Sequence, residues 1–180
     1  SAELLHAESE ATVIYSRNEV EAATKEAIHA EGFLQVNIPV SLTEISARAF
    51  ENCNQVVKVA IPESVTGIGM CAFQNCKSLA SITIPESVTV IGYHAFEGCE
   101  FLASITLPES VTSICGHAFA NCESLPSITI PNSVRTIGPS TFRYCVSLVN
   151  ITIPESVTSI RDFAFHGCRS LTSITIPESV

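Results

Sequence analysis

The chain repeats itself every 23 residues, and this period constrains its fold more than any other feature of its 180 residues. Three residue types keep the period. The prolines are Pro39, Pro62, Pro85, Pro108, Pro131, Pro154 and Pro177. The phenylalanines are Phe50, Phe73, Phe96, Phe119, Phe142 and Phe165, and the cysteines are Cys53, Cys76, Cys99, Cys122, Cys145 and Cys168. Such a pattern predicts a solenoid, in which each unit packs only against its neighbours.

Each unit begins with a predicted strand. In Ser81–Ile84 apolar residues alternate with hydroxyl residues, which is the period of a half-buried strand. Pro85 ends this strand because proline has no N–H to donate to a ladder. Val88 and Ile91 then point inward across a second short extended stretch, and Gly92 permits a turn.

The second half of the unit returns the chain to the next strand. Its apolar residues recur about three positions apart, which predicts one short helical or 3₁₀ turn facing the core: Ala95, Phe96, Cys99 and Leu102. One unit alone cannot fold, because burying its apolar side chains yields less free energy than fixing 23 residues of backbone costs. Stacked units bury each other's faces at a spacing of about 4.8 Å. Seven strands are predicted, centred near residues 37, 60, 83, 106, 129, 152 and 175.

The two ends differ from the repeats. A capping-box spacing, from Ser16 to Glu19, precedes a predicted helix over residues 17–31 that covers the N-terminal end of the stack. We therefore divide the chain into residues 1–32, an extension with a capping helix, and residues 33–180, an array of six full units and a truncated seventh. The last unit stops midway, so we expect its edge to be covered by further repeats or by a partner.

The consensus of the units, S-I-T-I-P-E-S-V-T-x-I-G-x-x-A-F-x-x-C-x-S-L, resembles the BspA-type leucine-rich repeat. The resemblance covers residues 33–180 and implies a leucine-rich-repeat right-handed superhelix with short parallel strands. It also implies a surface, adhesion or interaction protein without catalytic residues, at the cell surface or secreted. Two units carry Cys115 and Arg161 at the position of Gly92, and one unit carries Asn132 at the position of Glu86. The prediction of a turn is weaker in these units.

Charge and hydropathy restrict the partners. The chain carries 18 acidic and 9 basic side chains, a net charge of −9 that repels nucleic acids and anionic membrane surfaces. No apolar run approaches the roughly 20 residues of a membrane-spanning helix. Because 46% of the residues are hydrophobic and only 15% are charged, the chain is not expected to be disordered.

In a stack, each repeat position becomes a column of side chains, and the outward strand columns are the candidate partner-binding face. Their members are Ser81, Thr83, Ser104, Thr106, Ser127, Thr129, Asn150, Thr152, Ser173 and Thr175. Together they predict a flat, hydroxyl-rich sheet surface. The same pattern fits a purely structural array, because threonine suits exposed strand positions and pairs well with itself. It also fits an ice-binding solenoid, since regular threonine arrays resemble the surfaces of such proteins.

A second column is acidic and follows the strands: Glu63, Glu86, Glu109, Glu155 and Glu178. We interpret it as a solvated edge that discourages aggregation, with a basic partner or a weak Ca²⁺ site as alternatives. Calcium prefers six to eight convergent oxygens, and one carboxylate per unit does not supply them.

The cysteines are interpreted as buried free thiols. Equivalent Cβ atoms in neighbouring units are expected near 4.8 Å apart, whereas a disulfide needs about 3.8 Å. Cys71, His94 and His117 share a further column and are the candidate metal ligands, although three in-line residues do not converge readily on a tetrahedral ion. The sequence therefore predicts a non-enzymatic protein-interaction module with no cofactor, as adhesin, receptor-like module or subunit of a larger assembly. A metal-binding protein is the alternative.

Overall fold

The computed structural model describes Val13–Ile14 and residues 34–180 of the chain. The predicted capping helix over residues 17–31 lies outside the described residues. Within them the chain coils into a solenoid of short parallel strands, as the 23-residue period predicts. No helix in this part of the chain is both long and apolar enough to cross a membrane.

Two sheets run along the stack. The first half of each unit supplies strands β1 (Val13–Ile14), β2 (Leu34–Asn37), β4 (Val56–Ala60), β6 (Ser81–Thr83), β8 (Ser104–Thr106), β10 (Ser127–Thr129) and β12 (Asn150–Thr152). The second extended stretch supplies β3 (Glu44–Ile45), β5 (Gly67–Ile68), β7 (Val90–Ile91), β9 (Ser113–Ile114), β11 (Thr136–Ile137) and β13 (Ser159–Ile160). The second set forms one continuous sheet, whereas the first is divided between β8 and β10.

The repeat period sets the register. Paired residues lie 23 positions apart, as in Ile82 with Ile105, apart from an irregularity at Leu34. Ile82 is buried and its neighbours in β6 are exposed, which confirms the predicted alternation. β1 was not expected. Val13 pairs with Val36, one period further along the chain, so a strand at repeat spacing precedes the predicted start of the array at residue 33.

The seventh predicted strand, near residue 175, does not form. Residues 171–177 carry no strand, although six earlier strands lie close to their predicted centres. This stretch is tied to the preceding unit just before the strand position, where the N–H of Ser170 donates to the carbonyl of Val146. That bond lies outside the strand position, and a strand needs ladder bonds along its own residues. The prediction of a strand was therefore wrong for the final unit.

The predicted helical or 3₁₀ turn combines 3₁₀-type hydrogen bonds with left-handed residues. Hydrogen bonds of the 3₁₀ type recur, as from the N–H of Ala95 to the carbonyl of Gly92, but two residues per unit are left-handed and stop a helix from continuing. The first left-handed column contains Arg48, Cys71, His94, His117, Ser140 and Phe163; the second contains Asn52, Asn75, Gly98, Asn121, Tyr144 and Gly167.

Alternate amides of this turn bond to the next unit. The N–H groups of His94, Phe96 and Gly98 donate to carbonyls of the following unit at 2.8–3.2 Å. The amides between them donate within their own turn, as Glu97 does to His94. The left-handed residues create this alternation, so the turn is bonded to its neighbour much as a strand is.

A stack of phenylalanine rings fills the core behind these turns. Successive rings from Phe50 to Phe165 lie 5.1–5.6 Å apart between centroids and within 5° of parallel. Inward-pointing leucine, isoleucine and valine side chains surround the stack and are buried. Each ring fits only because the units keep one register, so the stack and the ladders support each other.

The thiols beside this stack are hydrogen-bond donors as well as small apolar groups. From Cys76 onward, each repeat cysteine donates its S–H to the phenylalanine carbonyl of the preceding unit at 3.0–3.2 Å. All eight cysteines are free thiols. Burial raises the pKa of the six repeat cysteines, to about 11 at Cys53 and further at Cys99. A thiolate could not donate this bond.

These thiols make stability depend on alkaline pH. Because their folded pKa exceeds the unfolded value near 9, their contribution is complete below that pH and is lost as pH rises through the folded pKa. Above the unfolded pKa, each thiol that stays protonated in the folded chain lowers the free energy of unfolding by up to about 1.4 kcal/mol per pH unit. We expect Cys99→Ala to flatten the fall of the urea midpoint between pH 8 and pH 10.5. The control is Val111→Ala, which also truncates a buried side chain but should leave the pH dependence of the urea midpoint as it is in wild type. If wild type, Cys99→Ala and Val111→Ala all show the same pH dependence, the thiols do not have this role.

Candidate functional site

The ten predicted site residues form one surface, which we call the hydroxyl face. The ladders place Ser81 beside Ser104, Thr83 beside Thr106, and Ser127 beside Asn150. All ten side chains are exposed: Ser81, Thr83, Ser104, Thr106, Ser127, Thr129, Asn150, Thr152, Ser173 and Thr175. Short side chains at regular spacing leave the backbone of the sheet accessible to a ligand.

The chemistry of this surface changes along the stack. Lys58 and Ala60 pair with Ser81 and Thr83 and occupy the same two columns one unit earlier. The uniform part of the hydroxyl face therefore begins at β6. A basic side chain at its N-terminal border shows that the columns accept long, charged residues without disturbing the ladder.

An apolar rim borders the hydroxyl face where the strands begin. It consists of Ala80, Ala103, Pro126 and Val149, all exposed, together with Phe101. The Phe101 side chain is 62% exposed, in contrast with the phenylalanine stack of the core. An exposed aromatic side chain beside a polar surface is the kind of group that anchors protein partners.

The acidic column borders the opposite side. Its five glutamates, Glu63, Glu86, Glu109, Glu155 and Glu178, are all exposed. Where Asn132 interrupts the column, its backbone N–H donates to Glu109 Oε2 at 2.9 Å. Glu109 therefore has a neutral hydrogen-bond donor as its neighbour in the next unit instead of another carboxylate, which reduces the repulsion between like charges in the column. The hydroxyl face thus lies between an apolar and an anionic border.

The sheet beneath this face is divided at Pro126. At the position before each strand, Ala80 donates its N–H to Val57, Ala103 to Ala80, and Val149 to Pro126. Pro126 has no N–H, so the carbonyl of Ala103 lacks the donor that the equivalent carbonyls of Val57, Ala80 and Pro126 have. The first sheet is divided at this point, between β8 and β10.

The division opens a shallow groove of about 540 Å³ in the middle of the hydroxyl face. Its walls are two strands that do not pair with each other, from Ala103 to Leu107 and from Ser127 to Thr129, with Glu109 at one end. The groove combines backbone groups, hydroxyls and one carboxylate.

The predicted metal ligands are regrouped by the structure. His94 and His117 lie together, and their rings stack with centroids 4.6 Å apart. The third member of their group is Glu97, whereas Cys71 is buried and stands outside it. Sequence reasoning missed Glu97, although its position three residues after His94 in a tight turn could have indicated the contact.

Comparison with known proteins places the chain among leucine-rich repeats. The family described as the BspA type leucine rich repeat region matches in six copies, over residues 24–148 and 112–180. No curated protein matches the chain in sequence.

Three solved structures share the fold. A leucine-rich repeat protein of T. pallidum is 36% identical, with a TM-score of 0.78, over 81% of this chain and 71% of that protein. A leucine rich cell surface protein of Faecalibacterium prausnitzii is 38% identical, with a TM-score of 0.74, over 83% and 43%. A leucine-rich repeat protein of Bacteroides ovatus is 35% identical, with a TM-score of 0.62, over 82% and 46%. The chain thus spans less than half of two of these proteins.

The groove depends on Pro126, and we expect Pro126→Ala to close it. The new N–H can donate to Ala103, as Ala103 donates to Ala80 at 2.9 Å, and the two halves of the sheet then join. The added hydrogen bond and the greater entropy of the unfolded chain nearly cancel, so stability should change by less than about 1 kcal/mol. A crystal structure of the variant measures the distance from the new nitrogen to the Ala103 oxygen. Strands that remain apart would show that another feature divides the sheet.

Proposed function

We propose, for a chain that belongs to the BspA-type leucine-rich repeat family, that the hydroxyl face and its two borders bind another protein. The function is protein–protein interaction rather than catalysis. The observation that carries the proposal is the exposure of all ten outward side chains at two equivalent positions of successive units, between an exposed aromatic and a row of carboxylates.

The arrangement of groups supports contact with a folded or extended protein surface. Small hydroxyl side chains let a partner approach closely and offer both donors and acceptors. Phe101 and Val149 can be covered by apolar side chains of the partner, and burial of such anchors supplies much of the affinity of an interface.

Charge further defines the partner. The acidic column and the net charge of −9 favour a partner whose contact surface carries lysine or arginine. These charges accelerate association more than they tighten the complex, so the association rate should fall as salt is raised.

The similarity to a leucine rich cell surface protein of Faecalibacterium prausnitzii favours a role at the cell surface, as adhesin, receptor-like module or subunit of a larger assembly. A regular surface that repeats by unit suits each of these roles, because a partner can contact several units at once.

The test replaces three threonines of the hydroxyl face by arginine: Thr83→Arg, Thr106→Arg and Thr129→Arg. The matched control is Thr66→Arg, Thr89→Arg and Thr112→Arg. These control residues are also exposed threonines, and the same column holds Arg135 in the natural sequence. Both triple variants add the same charge. Cross-linking capture from native extract is compared among wild type and the two variants.

We expect a partner that is captured by wild type and by the control, and whose capture falls at least tenfold with the hydroxyl-face variant. The bulky arginines hold the partner away from the sheet while leaving the core intact. Equal capture by all three proteins would contradict the proposed face. Equal loss in both variants would assign the effect to added charge rather than to the face.

A further inference from the structure

A second chemical group lies on the turns, away from the hydroxyl face and independent of its proposed function. It comprises His94, Glu97 and His117, whose ligand atoms all lie within 4.8 Å of one another. His94 and His117 occupy the same left-handed position in consecutive units, with φ of 58° and 59°. The fold therefore projects the two imidazoles from equivalent backbone sites, one unit apart.

Hydrogen bonds already orient the carboxylate. Glu97 Oε2 lies 2.7 Å from His94 Nδ1 and accepts a hydrogen bond of 2.7 Å from Gln74 Nε2. Gln74 occupies the Glu97 position one unit earlier, so this contact also follows from the repeat. Partners of this kind, which hold a ligand without touching the metal, commonly support metal sites in proteins.

The two imidazoles lie against each other on consecutive turns, with ring centroids 4.6 Å apart. The rings of His94 and His117 are stacked within 19° of parallel, and imidazole lone pairs lie in the ring plane, so at least one ring must turn out of the stack before a nitrogen of each can face the same ion.

We propose that His94, Glu97 and His117 bind one divalent ion of the late first transition series, with Zn²⁺ as the representative ion. Two imidazole nitrogens and one carboxylate oxygen match the ligand preference of Zn²⁺ and leave a fourth position for water or a partner side chain. Calcium and magnesium prefer oxygen ligands and should bind far more weakly.

Binding of one ion requires the ligand side chains to rotate. Ligand atoms around a tetrahedral Zn²⁺ are about 3.4 Å apart, given bonds of about 2.1 Å. The separations here reach no more than 4.8 Å, and the His94 and Glu97 side chains are 33% and 21% exposed, so they have room to rotate. The backbone needs no movement, because both histidines already project from the same side of consecutive turns.

One nearby charge opposes the ion. Arg143 lies close enough to His117 to interact with it electrostatically, and a cation there repels a metal ion. Arg143 occupies the Glu97 position two units later, a column in which Gln74 is also natural. Arg143→Gln is therefore a conservative change that should strengthen metal binding if the proposed ion lies where we place it.

The experiment titrates the full chain with Co²⁺ at pH 7.5, follows the visible absorption of the bound ion, and then displaces it with Zn²⁺. His94→Asn and His117→Asn remove one ligand each while keeping a residue that tolerates the left-handed conformation. Glu97→Gln removes the carboxylate. His166→Asn is the matched control, because His166 is an exposed histidine outside the group.

We expect one ion per chain, at least a 100-fold loss of affinity in the three ligand variants, and no change in His166→Asn. Gln74→Ala should weaken binding by about 10- to 100-fold. Arg143→Gln should bind more tightly, which misfolding cannot imitate. The proposal is overturned if wild type takes up no stoichiometric Co²⁺ or Zn²⁺ at 100-fold excess over protein, or if the ligand variants and the control bind equally.

Discussion

Hydrogen bonds between consecutive turns hold the rest of this molecule in place. In each of the five units from Arg48 to Tyr144, three amides, at the positions of His94, Phe96 and Gly98, donate to carbonyls of the next unit. They fix the distance at which the phenylalanine rings stack and the thiols reach the preceding phenylalanine carbonyls. Strands of two or three residues would be weak ladders by themselves, so the bonded turns supply much of the continuity that the strands lack.

This arrangement explains why chemistry appears in columns. Any side chain at a given position meets its equivalent one unit away, whether the pair is Thr83 with Thr106 on the hydroxyl face or His94 with His117 on the turns. Function can then arise from a column of like residues, which gives an extended surface, or from a local departure. Pro126 and Glu97 are two such departures: the first divides the sheet and opens a groove, and the second completes a group of potential metal ligands.

The period made the register and the inward residues predictable, because a parallel stack allows each position only its equivalents as neighbours. Other features depend on individual residues. Cys71 and Phe163 adopt left-handed conformations that their residue types rarely favour, so the turn could not be distinguished from a 3₁₀ helix in advance. The effect of Pro126 was readable from the missing N–H, but only once its alanine equivalents were known to donate. The contact of Glu97 with the histidines could be recognised only once the geometry of the turn was known. Strand β1 was not predicted because the unit that it begins lacks the repeat's proline and cysteine.

Hydrogen exchange of individual amides tests the central claim most directly. We predict that amides bonded between units, such as Phe73, Phe96 and Phe119, exchange only on cooperative unfolding and lose protection together. Amides bonded within one turn, such as Glu97, should exchange through smaller local openings and so be less protected. Two results would show that the bonds between turns do not hold the fold together. In the first, amides bonded within one turn are protected as strongly as amides bonded between units. In the second, amides bonded between units exchange rapidly while the strand amides stay protected.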